Sequence, residues 1–434
     1  MVLKLVSSQP DFDQQFAHVL TMKRETDSDV SDIVKEIIAD VRNNGDEALY
    51  RLTEKFDRFD AEKTGLKFTE AEITAAVDSL SPELTAALEK AATRIHDFHA
   101  VQMPKDLDFR DEDQVRLGQQ WRPVSAAGLY VPGGTANYPS SVLMNAIPAT
   151  VAGVKDLVMV VPTPDGVVNP AVIAAAKMAG VTEIYRIGGA QAVAALAYGT
   201  DTVPAVDKIT GPGNAFVAEA KRQVYGKVGI DAIAGPSEIL VVADNKNDPR
   251  WIAADLLSQA EHDPVAQSIL ITDDEDFADR VALAVKDHLK SLPRADIAGS
   301  SWDHYGVMIV VNDLENSLPL VNALAPEHLE LAIDQANEYR QQVDHAGAIF
   351  VGRYTPEAIG DYVAGPNHVL PTARTARFSS GLSVYDFMKR TTFVECNADS
   401  LRAIGPAAVT LAQEEGLQAH GLSVSIRLED MAKT

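Results

Sequence analysis

The sequence predicts an α/β protein of two doubly wound halves, each a parallel sheet flanked by helices, with a helical N-terminal region and a C-terminal tail. Two patterns carry this expectation. From about Asp27 to Gln102 the apolar residues recur with a helical period, whereas after Gly128 short β-rich runs alternate with Ala-rich helical runs.

The N-terminal region has clear helix starts. Thr69-Glu70-Ala71-Glu72 reads as a capping box, in which each end satisfies the other's free backbone N–H, and Ser81-Pro82-Glu83 reads as a cap followed by Pro in the first turn. Beyond Gly128 come LVMVV at 157–161, a helix near 169–179, EIYRI at 183–187, a helix near 190–198 and VDKIT at 206–210. Strands joined through helices run parallel. A second series follows: Glu238 to Val242, a helix over 248–262, a strand over 267–272, a helix over 275–291, and strands over 306–311 and 347–351. The tail from about residue 382 reads as helical.

Composition excludes several functions. The 434 residues, 46% hydrophobic and 23% charged, suffice for two or three buried cores. Cys396 is the only cysteine, so no intrachain disulfide or Cys-rich zinc site can form, and any metal must be held by nitrogen and oxygen. A formal charge of -24 repels a polyanion, which argues against nucleic acid as a partner. The N-terminus lacks the apolar core of a secretory signal, and the richest apolar stretch, Val142 to Val161, is broken by Asn145, Pro148, Lys155 and Asp156. A soluble, cytoplasmic protein without membrane association is the expectation.

Glycines gather at the ends of the expected strands: Tyr130-Val131-Pro132-Gly133-Gly134, Ile187-Gly188-Gly189-Ala190-Gln191, Gly211-Pro212-Gly213-Asn214 and Ala234-Gly235-Pro236-Ser237. In open α/β sheets ligands bind beyond the carboxyl ends of strands, where glycine lets the backbone approach them. Any one of these turns alone is only a tight connection. No strand-GxGxxG-helix unit or phosphate-binding GxxxxGK[ST] loop is present, so the residues themselves do not identify a nucleotide.

Gln259 and His262 lie three apart at the end of an expected helix, with Cβ atoms roughly 5 to 6 Å apart, a spacing that suits two ligands of one metal. A Gln/His pair is more often a polar helix end. His96 and His99 share the spacing and read as ordinary polar helix positions. Glu327-His328 stands at a loop-to-strand junction before Leu329 to Ile333, where acid/base groups can be held rigidly, although a loop ion pair is the plainer reading. Asp361 and His368 lie in a Gly/Pro-rich loop, and Glu415 and His420 in the tail.

YVPGG, GGAQA, GPGNAF, AGPSE, SQAEH, APEHLE, GDYVAGPNHVLPT, FSSGLSVYDFMKR and EGLQAH follow one another in the order and approximate spacing of the histidinol dehydrogenases. The sequence resembles that family over essentially its whole length. Ala232 and Gly381 depart from the family's usual residues, but neither is a functional position. The resemblance implies two Rossmann-like halves: 130–237 binding NAD, 238–381 carrying zinc and the catalytic residues. It further implies a helical region over 1–129 packing with the second half, and a dimerisation tail over 382–434 that completes the partner's site in a homodimer.

The residue roles that the resemblance implies are specific. Gln259, His262, Asp361 and His420 hold one zinc ion per subunit; Tyr130, Gln191 and Asn214 touch NAD; Ser237, Gln259, His262, His328, Asp361, Glu415 and His420 contact the substrate; Glu327 and His328 are the acid/base pair. The reaction is oxidation of L-histidinol to L-histidine through the aldehyde, with two NAD, the last step of histidine biosynthesis. Two alternatives compete. A related zinc/NAD dehydrogenase could act on another small alcohol such as a sulfonated diol, but Glu415 would repel a sulfonate and favour a cationic substrate. A non-catalytic two-lobed solute-binding protein is opposed by the absence of an export signal and by the Glu327-His328 pair.

Overall fold

The computed structural model describes residues 2–22, 30–133, 138–233 and 235–431. Gly134 and Ala234 of the glycine-rich turns, and Asp27 where the helical pattern begins, lie outside the described residues. Along the chain the strands are β1 (Leu3–Val6), β2 (Leu107–Arg110), β3 (Arg116–Pro123), β4 (Ala126–Tyr130), β5 (Asp156–Val160), β6 (Glu183–Tyr185), β7 (Lys208–Thr210), β8 (Gly229–Ile230), β9 (Glu238–Ala243), β10 (Gln267–Thr272), β11 (Val307–Val310), β12 (His328–Ala332), β13 (Ala348–Val351) and β14 (Met388–Glu395). The chain divides into two compact units, Met1–Gln102 with Ser125–Phe387, and Met103–Val124 with Met388–Thr434.

The first unit holds two sheets. One runs β1-β11-β10-β9-β12-β13 and the other β6-β5-β4-β7-β8, and the pairings in both are parallel. Every residue of β9 and β10 is buried, as expected for strands covered by helices on both faces. The mixed α/β class with parallel sheets is therefore what the alternation of runs predicts. In each sheet the strand order reverses once, between β4 and β7 and between β9 and β12. A reversal leaves a crevice, because the connections on its two sides cover opposite faces.

The N-terminal region is shared between the sheets. Leu5, Phe16 and Val19 join the core of the six-stranded sheet, whereas Val34, Ile38, Leu49, Leu52 and Leu66 pack with Val158, Val193 and Ile209 of the five-stranded one. This corrects the expectation that the whole region packs with the second half. The apolar stripe of the helix Ser31–Asn44 (Val34, Ile37, Ile38, Val41) needs a partner, and Ala192 to Ala197 present a small-residue surface against which it fits closely. Local start signals hold where they were read. Thr69 and Glu72 form the capping box, and the Ser81 hydroxyl accepts from the Leu84 N–H at 3.2 Å.

In the second unit β3 lies between β2 and β14 in antiparallel register, and two helices, Ala398–Glu414 and Gln418–Met431, follow. The tail, expected to be helical throughout, thus begins as a strand. Thr391, Thr392, Phe393 and Val394 are β-branched or aromatic and favour a pleated surface, which outweighs the helical pattern around them. Among the described residues no helix is long and apolar enough to cross a membrane.

Phe277 is fully buried in the cluster that joins the helix Glu275–His288 to β10 and β11. Phe277→Ala is expected to destabilise the chain by about 3–5 kcal/mol through lost burial and the cavity left behind. A guanidinium unfolding midpoint equal to that of the unaltered chain would show the site collapsing without cost.

Candidate functional site

Glu238 and His328 are the first residues of β9 and β12, and Glu327 immediately precedes β12. The two strands meet at the second sheet's reversal, and one residue arranges both neighbours. The Glu238 N–H donates to Glu327 Oε2 at 2.9 Å, and the Glu238 carbonyl lies 2.9 Å from His328 Nδ1. A carbonyl only accepts, so Nδ1 carries the hydrogen and Nε2 keeps its lone pair. That lone pair has no hydrogen-bond partner and lies 3.6 Å from Glu357 Oε1 and 4.0 Å from Asp361 Oδ1.

These groups therefore stand at the amino edge of the six-stranded sheet. The sequence reading placed ligands beyond carboxyl ends; the glycine-rich turns of the five-stranded sheet stand at such ends, whereas Glu327 and His328 stand at the amino ends of β9 and β12. At the carboxyl edge of β9 and β12 Arg353 pairs with Asp244 and Asp334, and its Nη1 donates to the Ala332 carbonyl at 2.8 Å.

Gln259 is 1% exposed in the last turn of the helix Pro249–Ala260. His262 lies two residues beyond that helix, but its N–H still bonds the Gln259 carbonyl at 3.1 Å, and Arg294 holds the turn through the carbonyls of Glu261 and His262. Asp361, expected in a loop, sits in the short helix Glu357–Tyr362 instead, four residues after Glu357 and on the same face. His368 does lie in the loop. Its Nδ1 meets the Asp361 carbonyl at 3.1 Å and its Nε2 lies 3.4 Å from the Ser141 hydroxyl, bringing the two sheets' connections together. Ser237 precedes β9 and is half-buried.

Burial dominates the site's electrostatics. It lowers the pKa values of His262 and His328, keeping both rings neutral, and pushes the Glu327 carboxyl well above the usual range. Glu357 and Asp361 share a hydrogen bond and titrate together. Burial and then the charge of Asp361 raise Glu357, while at Asp361 burial is outweighed by the hydrogen bond and charge of His368 and by the charge of His328. The proton sits on Glu357 and the charge on Asp361.

This donor set fits a cation. His328, Glu357 and Asp361 offer ligand atoms within 4.8 Å of one another, and the buried Gln259 Oε1 and His328 Nε2 lack hydrogen-bond partners. Unpartnered buried polar atoms are costly, and all these donors are nitrogen or oxygen, which suits zinc. The geometric trio shares only Asp361 with the set that the resemblance implies. Glu415 and His420 belong to the second unit, where both are exposed, Glu415 capping the helix Ala398–Glu414 and His420 opening the helix Gln418–Met431.

At the five-stranded sheet, Tyr130 ends β4 and its hydroxyl accepts from the Gly189 N–H at 3.0 Å; Tyr130 and Gln191 are both buried. Gly189 has φ +65°, and a Cβ there would stand 2.8 Å from Gln191 Oε1. Asn214 caps the helix Ala215–Val224 by accepting from the N–H groups of Phe216 and Val217. All three follow carboxyl ends of strands on either side of the reversal between β4 and β7.

Sequence reasoning missed Glu357 and Glu238, and the acids Asp255 and Glu330 beside Glu357, where burial and then neighbouring carboxylates raise the pKa values of Glu330 and Glu357. The i, i+4 spacing of Glu357 and Asp361 was a usable signal, and so was Glu330, an acid two residues after His328 in an otherwise apolar strand. Glu238 acts mainly through its backbone, which no residue type announces. His99, read as an ordinary polar helix position, is buried, with Nδ1 2.7 Å from Gln102 and Nε2 3.3 Å from Asn367.

A family model described as histidinol dehydrogenase matches residues 20–428. The histidinol dehydrogenase of Rhodospirillum rubrum is 64% identical over 429 residues, 99% of each chain. That of Gluconobacter oxydans is 59% identical over 426 residues, 98% of this chain and 99% of the relative. The crystal structure of histidinol dehydrogenase from Elizabethkingia anophelis superimposes with a TM-score of 0.95 at 37% identity, covering 99% of both chains.

Glu357, as a protonated donor to Asp361, should steady that carboxylate for a metal. Glu357→Leu is expected to weaken zinc binding by about 10–100-fold, the usual cost of losing a group that orients a ligand, while Glu357→Gln, which keeps a donor, stays near the unaltered value. Competition with a chromophoric chelator measures both, and equal affinity in all three chains would remove Glu357 from the site.

Proposed function

Because the chain belongs to the histidinol dehydrogenase family, we propose that it oxidises L-histidinol to L-histidine by way of L-histidinal, passing two hydrides in succession to NAD, as the last step of histidine biosynthesis in the cytoplasm. The observation that carries this reading is the pair Glu327 and His328, held by the backbone of Glu238 with the Nε2 lone pair turned toward Asp361 and Glu357.

Gln259, His262 and Asp361 are the groups of this chain proposed to hold zinc, with His420 from the tail as the fourth. When bound, zinc supplies a positive anchor for the amine and imidazole of the substrate. His328 is better reserved as a base than spent as a ligand, and a protonated Glu357 ligates poorly. Ser237, Gln259, His262, His328, Asp361, Glu415 and His420 are the proposed substrate contacts, and Tyr130, Gln191 and Asn214 the proposed NAD contacts.

In the first half-reaction His328 Nε2 accepts the proton of the alcohol oxygen as the hydride leaves the carbon that bears it for NAD. Its neutral state makes that lone pair available. In the second, Glu327 takes a proton from the water that adds to the aldehyde carbon, and the hydrate loses the second hydride. A carboxyl whose pKa is raised by burial is a stronger base once ionised, which suits removal of a proton from water.

Incubation with L-histidinol and excess NAD should yield about two NADH per histidine; one NADH with aldehyde accumulating would overturn the reading. Glu327→Gln is expected to slow oxidation of supplied histidinal, and His328→Asn to slow the steps that take a proton from the substrate oxygen. Identical losses on both substrates for both variants would end the division of labour.

Assembly of the site is part of the proposal. Glu415 and His420 lie in a different compact unit from Glu327 and His328, and we infer a twofold homodimer in which each tail completes the partner's site. Co-expression of Glu327→Gln with His420→Asn chains places both defects in one site of a mixed dimer and leaves the other intact. Random pairing makes about half of the dimers mixed, so about one quarter of the activity should return. Doubly tagged mixed dimers as inactive as their parents would show that each tail serves its own chain.

A further inference from the structure

Beyond the residues that face the reaction, one buried ion pair has no assigned part. Lys221, in the helix Ala215–Val224, and Asp231, just after β8, form a salt bridge with side chains only 3% and 7% exposed. Both act on a single residue. Asp231 Oδ2 accepts from the Gly211 N–H at 2.8 Å, and Lys221 Nζ donates to the Gly211 carbonyl at 3.0 Å.

Gly211 is where the ladder ends. β4 pairs with β7 only as far as Leu129 with Thr210, so the polar groups of the next residue have no strand partner and take side chains instead. Its φ is +115°, and a Cβ there would stand 2.0 Å from the Tyr130 carbonyl oxygen, so the residue is seated against Tyr130. The far end of the same turn is Asn214, committed to capping the helix that carries Lys221. Asp231 is tied back by its own N–H to the Ile209 carbonyl at 3.2 Å. The pair thus joins the end of β7, the helix and the turn after β8 around Gly211-Pro212-Gly213-Asn214.

A buried ion pair is a poor device for stability alone, since desolvating two charges offsets most of their attraction and an apolar pair of similar volume serves as well. What an apolar pair cannot do is hold both backbone groups of Gly211. We propose that Lys221 and Asp231 are positioning residues for NAD: they set the Gly211–Asn214 turn at the reversal between β4 and β7 so that it meets the dinucleotide without rearrangement. This rests on the reading of Asn214 as an NAD contact.

Three variants of the full-length, zinc-loaded enzyme test it. Lys221→Met leaves Asp231 charged and alone, and should lower the melting temperature as well as NAD affinity. The double variant Lys221→Met/Asp231→Leu removes both charges and should recover part of the melting temperature lost in Lys221→Met, short of the unaltered value because the Gly211 N–H and carbonyl lose their partners, yet keep a KM for NAD raised about tenfold, the cost of a lost preorganised hydrogen bond. Its kcat at saturating NAD and its zinc content should stay close to those of the unaltered enzyme, which a general loss of structure would not permit. A double variant with an unchanged KM for NAD, or with a lower kcat and an unchanged KM, overturns the proposal. Asn214→Ala separates the two levels. If it raises the KM for NAD while the double variant does not, the pair has no positioning part and the NAD reading stands; if neither raises it, the NAD reading falls and this inference with it.

Discussion

The site depends on one backbone residue. Glu238 begins β9 beside the start of β12, and its N–H and carbonyl fix Glu327 and His328 in a single step. Parallel pairing sets that juxtaposition, since His328 is in register with Ile239 on one side and Ala348 on the other. Side-chain flexibility therefore contributes little to where the two groups point. Gly347, just before β13, closes the arrangement, because a Cβ there would stand 2.5 Å from the Glu327 carbonyl oxygen.

Both sheets obey the rule that a reversal of strand order opens a crevice, but they present opposite edges to it. The five-stranded sheet offers carboxyl ends, with Tyr130, Gly189 and Gly211 on backbone turns that tolerate close approach. The six-stranded sheet offers amino ends, and the helix Pro249–Ala260, running back from β9 toward the start of β10, delivers Gln259 and then His262 to that edge. At the opposite edge Arg353 pairs with Asp244 and Asp334. A glycine-lined edge and a side-chain-rich edge are thus built by the same topology used in two directions.

Much of this was legible in the residues, for identifiable reasons. Alternating runs gave the parallel sheets, and Thr69, Glu72 and Ser81 gave their caps, because those signals are local. The glycine turns marked the crevice at β4 and β7, again through a local requirement for positive φ or close contact. What stayed hidden depends on distant contacts. The direction of the second sheet's edge, the burial of His99 against Asn367, and the hold of Glu238 on Glu327 and His328 each join segments far apart in the chain. The strand β14 hid for another reason: its β-branched residues are stabilised by pairing with Arg116–Pro123, which the tail's own pattern does not announce.

The same cluster that makes chemistry possible works against the metal-free fold. Burial raises the carboxyls of Glu327, Glu330 and Glu357, and Asp255, coupled to Glu330, is pushed up to about 6. For an acid whose folded pKa lies above its unfolded value, the folded form binds the extra proton, so stability falls as pH rises from the unfolded value toward the folded one. Glu357, raised to about 9, carries that penalty across the neutral range. Asp361 is lowered and contributes in the opposite sense, lost only as pH falls through its folded value. A divalent cation held by Asp361 and the unpartnered Gln259 Oε1, as proposed above, would offset part of that penalty, since a positive charge favours ionised carboxyls and would satisfy a stranded oxygen.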